Sequence, residues 1–153
     1  MLARWIELPE WLAAPASAVF ADIQGDDPIP GLRLLATEVD HPDALLLGVF
    51  EPDGTGGGGG GTVGPATDPL QMMLTIAEIL QDECAETSAG WGEARPPCPY
   101  HPHPARPAAR GGEAWWVCER RDERLYRIGA GEVLAAARTK NASKRRRRPP
   151  RWP

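Results

Sequence analysis

Apolar side chains recur along the chain at helical spacing in two places. In residues 69–87 they repeat every three or four positions, as on one face of an amphipathic helix: Met73, Ile76, Ala77, Leu80 and Cys84. Asp68 and Pro69 supply a cap and a first position for this helix. Residues 9–24 predict one or two shorter helices, because Pro9 and Pro15 can each occupy a first helical position.

Other apolar residues lie in short runs that favour strands. Residues 32–39 and 44–50 predict two strands joined by a turn, and residues 114–118 and 124–128 predict a second hairpin. The proline-rich stretch between these pairs, 91–113, predicts irregular backbone. Together these elements predict an α+β fold, a small helix-plus-hairpin domain with a C-terminal zinc-ribbon-like hairpin.

Glycine and charge divide the chain into three predicted parts. An acidic α+β body spans residues 1–90 and includes a flexible Gly-rich loop at 54–64, whose glycine run lacks the Lys-Ser or Lys-Thr of a phosphate loop. Residues 91–138 form a Cys/His metal-binding hairpin module, with a short helix predicted at 132–138. Residues 139–153 form a basic tail that we expect to be disordered alone.

The distribution of charge is strongly asymmetric. Residues 1–94 carry two arginines against sixteen acids, and residues 95–153 carry fifteen basic residues against five acids. A basic tail can bind an anionic partner or fold back on the acidic body. Arginine pairs with phosphate and tryptophan stacks on bases, so contact with nucleic acid is predicted at these positions: Lys144, Arg145, Arg146, Arg147, Arg148, Arg151 and Trp152.

Cysteine content and hydropathy bear on the compartment. The three cysteines are an odd number, and Glu7 and Pro9 interrupt the apolar stretch that an export signal needs before Ala16-Ser17-Ala18. Reduced thiols and a cytoplasmic location are therefore expected. No apolar run approaches the ~18 residues of a membrane span, so no membrane partner is predicted.

Four candidate metal ligands lie within a short stretch of the chain. Cys98, His101 and His103 alternate with prolines that hold the loop extended, and Cys118 follows in a predicted strand. Zinc takes four such ligands tetrahedrally, and small loop-rich modules gain folding free energy from the metal. The sequence therefore predicts a structural zinc site, in which Asp122 or Cys84 could replace one histidine.

Two other interpretations of the cluster stay open. The histidines could lie in a proline-rich surface loop while the two cysteines, Cys98 and Cys118, serve as small packing residues. A disulfide between the same cysteines is a third possibility, although reducing conditions oppose it.

Enzymatic interpretations have less support. The Cys98-x-x-His101 and His41-x-Asp43 patterns resemble parts of the nucleobase deaminase signature, but that chemistry needs a glutamate beside the metal. The predicted function is a non-enzymatic interaction or accessory module with a structural metal, a protein partner of unknown identity and a tail that contacts nucleic acid. The alternative is a small metal-dependent enzyme acting on a phosphate-bearing substrate.

The order Trp…Cys-Pro-x-His-x-His-Pro…Trp-x-Cys…Ile-Gly resembles a group of short, uncharacterised actinobacterial proteins. It covers roughly a quarter of the chain, and the matching residues are Trp91, Cys98, Pro99, His101, His103, Pro104, Trp116, Cys118, Ile128 and Gly129. The group has no established activity. The resemblance implies only that the Cys/His cluster forms a structural unit.

Overall fold

The computed structural model describes residues 4–57, 61–65 and 67–131. In this part of the chain it has the following helices and strands: α1 Glu10–Gln24, β1 Arg33–Glu38, β2 Leu45–Phe50, β3 Gly56–Gly57, β4 Thr62–Val63, α2 Pro69–Ala85, β5 Arg106–Arg110, β6 Glu113–Cys118 and β7 Glu123–Arg127. The predicted α+β class is confirmed. Among the helices described, none has the length and apolar character needed to cross a membrane.

The helices follow the sequence pattern closely. The backbone N–H of Gln71 donates a 3.3 Å hydrogen bond to the Asp68 carboxylate, and Pro69 begins α2 as predicted. The α1 helix is continuous through Pro15, so residues 10–24 form one helix rather than two. Both helices pack against each other over the apolar core.

The N-terminal sheet is built around β2. Strand β1 pairs with β2 antiparallel along its whole length, from Arg33 opposite Phe50 to Glu38 opposite Leu45. The short strands β3 and β4 both pair with the other edge of β2. The start of the glycine run and the two residues that directly follow it thus pair with the sheet, which composition alone did not predict. Residues 58–60 lie outside the described part.

Gly56 occupies a position that other residues fit poorly. Its φ is 134°, and a Cβ atom there would lie 2.2 Å from the Val49 carbonyl oxygen. We expect Gly56→Ala to lower the free energy of unfolding by about 1–3 kcal/mol. The matched control is Gly57→Ala, because a Cβ at Gly57 meets nothing within 4 Å. Urea denaturation compares the two variants, and equal stabilities would contradict the pairing of β3 with β2.

The C-terminal sheet has three strands in the order β5-β6-β7, all antiparallel. Strand β5 lies in the stretch for which irregular backbone was predicted. It is an edge strand, and an edge position tolerates Pro107, which faces Trp116 across the pair. The predicted hairpin of β6 and β7 is therefore present but carries a third strand.

A single hydrophobic core contains residues from both the predicted acidic body, 1–90, and the predicted metal-binding module, 91–138. Trp116 and Ile128 of the C-terminal segment belong to the same buried cluster as Leu12, Val19 and Leu80 of the helices. Helix α2 contacts β2 of the N-terminal sheet as well as β5 and β6 of the C-terminal sheet. The division at residues 90 and 91 stays a prediction about chain organisation, and the two segments pack together.

Asp22 is a buried polar anchor between α1 and the C-terminal segment. It is 3% exposed, and its Oδ2 accepts hydrogen bonds from the Trp116 indole N–H at 2.8 Å and the Gly129 N–H at 2.5 Å. Its Oδ1 accepts a third from the Gly131 N–H at 2.7 Å. These contacts fix the end of the described chain against the C-terminal part of α1.

Candidate metal centre

Residues 97–104 form a closed loop that carries three of the four candidate ligands. The Cys98 N–H donates to the His103 carbonyl at 3.2 Å, and the Ala105 N–H donates to the Pro96 carbonyl at 2.8 Å. Pro97 and Pro104 form an isolated antiparallel bridge between these bonds. The loop thus returns on itself and holds Cys98 close to the histidines.

Helix α2 and the end of α1 hold this loop in place. The Gln81 amide donates to the Arg95 carbonyl at 3.0 Å and to the Ala105 carbonyl at 2.6 Å, which ties both legs of the loop to α2. The Arg95 guanidinium donates to the carbonyls of Gln24 and Asp27 at 3.0 and 2.8 Å. Sequence reasoning missed Gln81 and Arg95, because their partners are backbone groups distant in sequence.

The structure brings all four predicted metal ligands together. One ligand atom from each of Cys98, His101, His103 and Cys118 lies within 4.8 Å of the others. The His101 Nδ1 is 3.3 Å from the Cys118 Sγ and 3.7 Å from the Cys98 Sγ. A tetrahedral zinc ion places its sulfur and nitrogen ligands about 3.6 Å apart, so the four residues could hold a metal ion.

His103 is poised to bind through Nε2. Its Nδ1 lies 2.9 Å from the Pro104 carbonyl oxygen, which can only accept, so Nδ1 carries the proton. The neutral ring then has a bare lone pair on Nε2, and that atom is buried without a hydrogen-bond partner in the described residues. An orphaned buried acceptor is costly, and coordination to a metal would remove this cost.

His101 faces the sulfur atoms of Cys98 and Cys118 through Nδ1, whereas His103 offers Nε2. Its ring stacks on that of His103, with centroids 4.9 Å apart and an angle of 15° between the planes. Desolvation lowers the pKa of His101, and the neighbouring His103, Arg120 and Arg121 lower it further. A lowered pKa favours the neutral imidazole, which is the form that binds metal.

Comparisons of the chain with protein-family models, curated proteins and solved structures found no match. The assignment of the site therefore depends on the geometry and chemistry of these four side chains. The resemblance to the actinobacterial group stays an expectation from the sequence pattern.

Neither alternative ligand joins the cluster. The Asp122 carboxylate pairs with the Arg110 guanidinium at 2.9 Å, and Cys84 lies fully buried on α2 within the apolar core. The group of potential ligands found in the described residues contains neither of them. Cys98 and Cys118 are free thiols in the structure, so the disulfide interpretation is wrong for this conformation.

Cys84 should be chemically inert in the folded protein. Burial raises the pKa of its thiol from 9.0 to about 12, so the reactive thiolate is scarce at pH 8. We expect iodoacetamide to alkylate Cys84 at least ~100-fold more slowly in native protein than in guanidinium-unfolded protein. Mass spectrometry of the chymotryptic peptides, in which Cys84 is separated from Cys98, measures both rates, and similar rates would place Cys84 outside the core.

The surface beside the cluster joins the ligand loop to the β6–β7 turn. The Tyr100 hydroxyl donates to the Glu123 carboxylate at 3.3 Å, and the Arg121 guanidinium lies 4.2 Å from the centre of the Tyr100 ring. Arg121 also pairs with Glu123 at 3.5 Å.

The predicted nucleic-acid contacts at 144–152 and the predicted helix at 132–138 lie outside the described residues.

Proposed function

We propose that this protein is a non-enzymatic interaction or accessory module built around one structural zinc ion. The observation that carries the proposal is the convergence of four ligand atoms, among them the buried Nε2 of His103, which has no hydrogen-bond partner among the described residues. Four protein ligands complete a tetrahedral zinc site and leave no open position for water or substrate. A closed site of this kind stabilises a fold rather than performing chemistry.

The ligand set supports zinc as the metal. Two thiolates and two imidazoles are the donors of many structural zinc sites, whereas magnesium and calcium prefer oxygen ligands. Cysteine must be reduced to bind, which agrees with a reducing compartment such as the cytoplasm. Both sulfurs come from buried cysteines, with Cys98 at 6% and Cys118 at 0% exposure.

The alternative is a metal-dependent enzyme acting on a phosphate-bearing substrate. Hydrolysis at a metal needs an open coordination position, usually with a nearby carboxylate to activate water. Two acids at or beside the β6–β7 turn are already engaged, Asp122 with Arg110 and Glu123 with Tyr100 and Arg121. Among the described residues, this arrangement favours the structural role.

The proposed anionic partner of the module is nucleic acid, bound through the basic residues 144–152. Five consecutive cations, Lys144 to Arg148, can release counterions from a phosphate backbone. Fluorescence anisotropy of a labelled single-stranded DNA oligonucleotide, titrated with the full chain at several salt concentrations, tests this contact.

The tail should account for the salt dependence of that binding. Arg146→Gln with Arg147→Gln should weaken binding about tenfold and reduce the salt slope by roughly 1.5. A matched control is Arg120→Gln with Arg124→Gln, which removes the same charge from two exposed sites, one in the β6–β7 turn and one in β7. Equal losses in both variants, or no measurable binding, would contradict a role for the tail.

A further inference from the structure

An open groove lies between the start of α1 and the turn that joins β1 to β2. Its volume is about 610 Å³, and Trp11, Pro42 and Pro65 contribute apolar surface to it. Three exposed carboxylates also line it, those of Glu38, Asp40 and Asp43. We call this surface the acidic groove.

Among the described residues that line the acidic groove, no arginine or lysine accompanies the carboxylates, and His41 is the one basic side chain. The Arg33 guanidinium of β1 pairs with Glu7 instead, at 2.8 Å. The groove therefore presents negative charge next to aromatic and proline surface, which suits a cationic segment that also carries apolar residues.

The same chain contains a segment of this composition. Residues 144–152 read Lys-Arg-Arg-Arg-Arg-Pro-Pro-Arg-Trp, while residues 1–94 carry two arginines against sixteen acids. We propose that residues 144–152 bind in the acidic groove of their own chain. The cations face the three carboxylates, and the prolines and Trp152 pack on the apolar wall formed by Trp11 and its neighbouring prolines.

The length of the chain permits this contact. The last described residue, Gly131, is fixed to Asp22 near the C-terminal end of α1. Trp11 lies eleven residues back along that helix, about 17 Å away at 1.5 Å per residue. The twelve residues from 132 to 143 can span up to about 40 Å when extended, so Lys144 can reach the groove.

This contact would couple the acidic body to the proposed nucleic-acid partner. Phosphate and the acidic groove compete for the same cations, so bound nucleic acid would release the segment from the body. Purely intramolecular pairing also raises the effective concentration of the segment at the groove. Binding of residues 144–152 in the acidic groove depends neither on the metal site nor on nucleic-acid affinity.

Carbodiimide cross-linking of the full chain tests the proposal directly. The reagent activates a carboxylate, which a lysine amine in contact then attacks to form an amide bond. Lys140 and Lys144 are the only lysines in the sequence, so a cross-linked peptide that contains Lys144 reports which acid the segment touches. We expect Lys144 to join Asp40, Asp43 or Glu38 within single chains at low salt, with at least a fivefold loss of product in 0.5 M salt.

Two double variants, one in the acidic groove and one on α2, are compared in the cross-linking experiment. Glu38→Gln with Asp40→Asn should reduce the Lys144–Asp43 product at least threefold, because the groove loses two of its three charges. Glu78→Gln with Asp82→Asn removes two exposed carboxylates from α2 and should leave that product unchanged. Cross-links spread evenly over the exposed acids, links only between chains, or equal losses in both variants would overturn the proposal.

Discussion

Replacing both cysteines of the cluster, Cys98→Ser with Cys118→Ser, is expected to abolish zinc binding and lower the melting temperature by about 10 °C. A serine hydroxyl does not replace a thiolate as a zinc ligand, so the site loses half of its donors. None of residues 97–104 belongs to the hydrophobic core cluster, so we expect a bound metal to contribute much of the stability of this loop.

The effect should be confined to the loop and the adjoining sheet. Helices α1 and α2 pack on a core that does not include the ligands, so far-ultraviolet circular dichroism should retain most of its helical signal below the transition. The control is Cys84→Ala, which removes the third cysteine without touching the cluster and should keep about one zinc per chain. A double serine variant with unchanged zinc content and melting temperature would show that the cysteines do not bind the metal.

Asp22→Ala is expected to lower the free energy of unfolding by about 4 kcal/mol. The substitution removes an acceptor of three hydrogen bonds and leaves the Trp116 indole N–H buried without its partner. It also releases Gly129 and Gly131 from α1. Urea denaturation monitored by tryptophan fluorescence measures the change.

Two further variants serve as comparisons for Asp22→Ala. Asp82→Ala removes an exposed carboxylate from α2 and should change the free energy of unfolding by less than ~0.5 kcal/mol. Trp116→Phe keeps most of the buried ring but removes the indole N–H, so its cost should be smaller than that of Asp22→Ala. A loss below about 1 kcal/mol for Asp22→Ala would mean that water replaces these hydrogen bonds.

The elements that the sequence predicted well are those with local signals. The cap at Asp68 and the apolar stripe through Cys84 define α2, and the apolar runs of β1 and β2 flank a turn rich in Asp and Pro. Strand β5 escaped prediction because Pro107 and its arginines look irregular in isolation. Its strand conformation depends on pairing with β6, which local pattern does not reveal.

At the candidate site too, features set by residues close in sequence could be predicted, and features set by contacts distant in sequence could not. The spacing of Cys98, His101 and His103, with Cys118 in a predicted strand, was enough to propose a metal, and the structure brings these four residues together. The tautomer of His103 could not be predicted, because it depends on the position of one backbone carbonyl. Gln81 likewise gave no signal, since nothing in the sequence shows that its amide meets the carbonyls at both ends of the loop.

X-ray absorption spectroscopy at the zinc edge, on untagged full-length protein, tests the central claim most directly. Two sulfur neighbours at about 2.3 Å and two nitrogen neighbours at about 2.0–2.1 Å, with no oxygen ligand, are the result expected for a closed site formed by these four side chains. Protein purified without zinc that also fails to bind the added ion, or a spectrum with a water or carboxylate oxygen in the coordination shell, would contradict the structural metal centre.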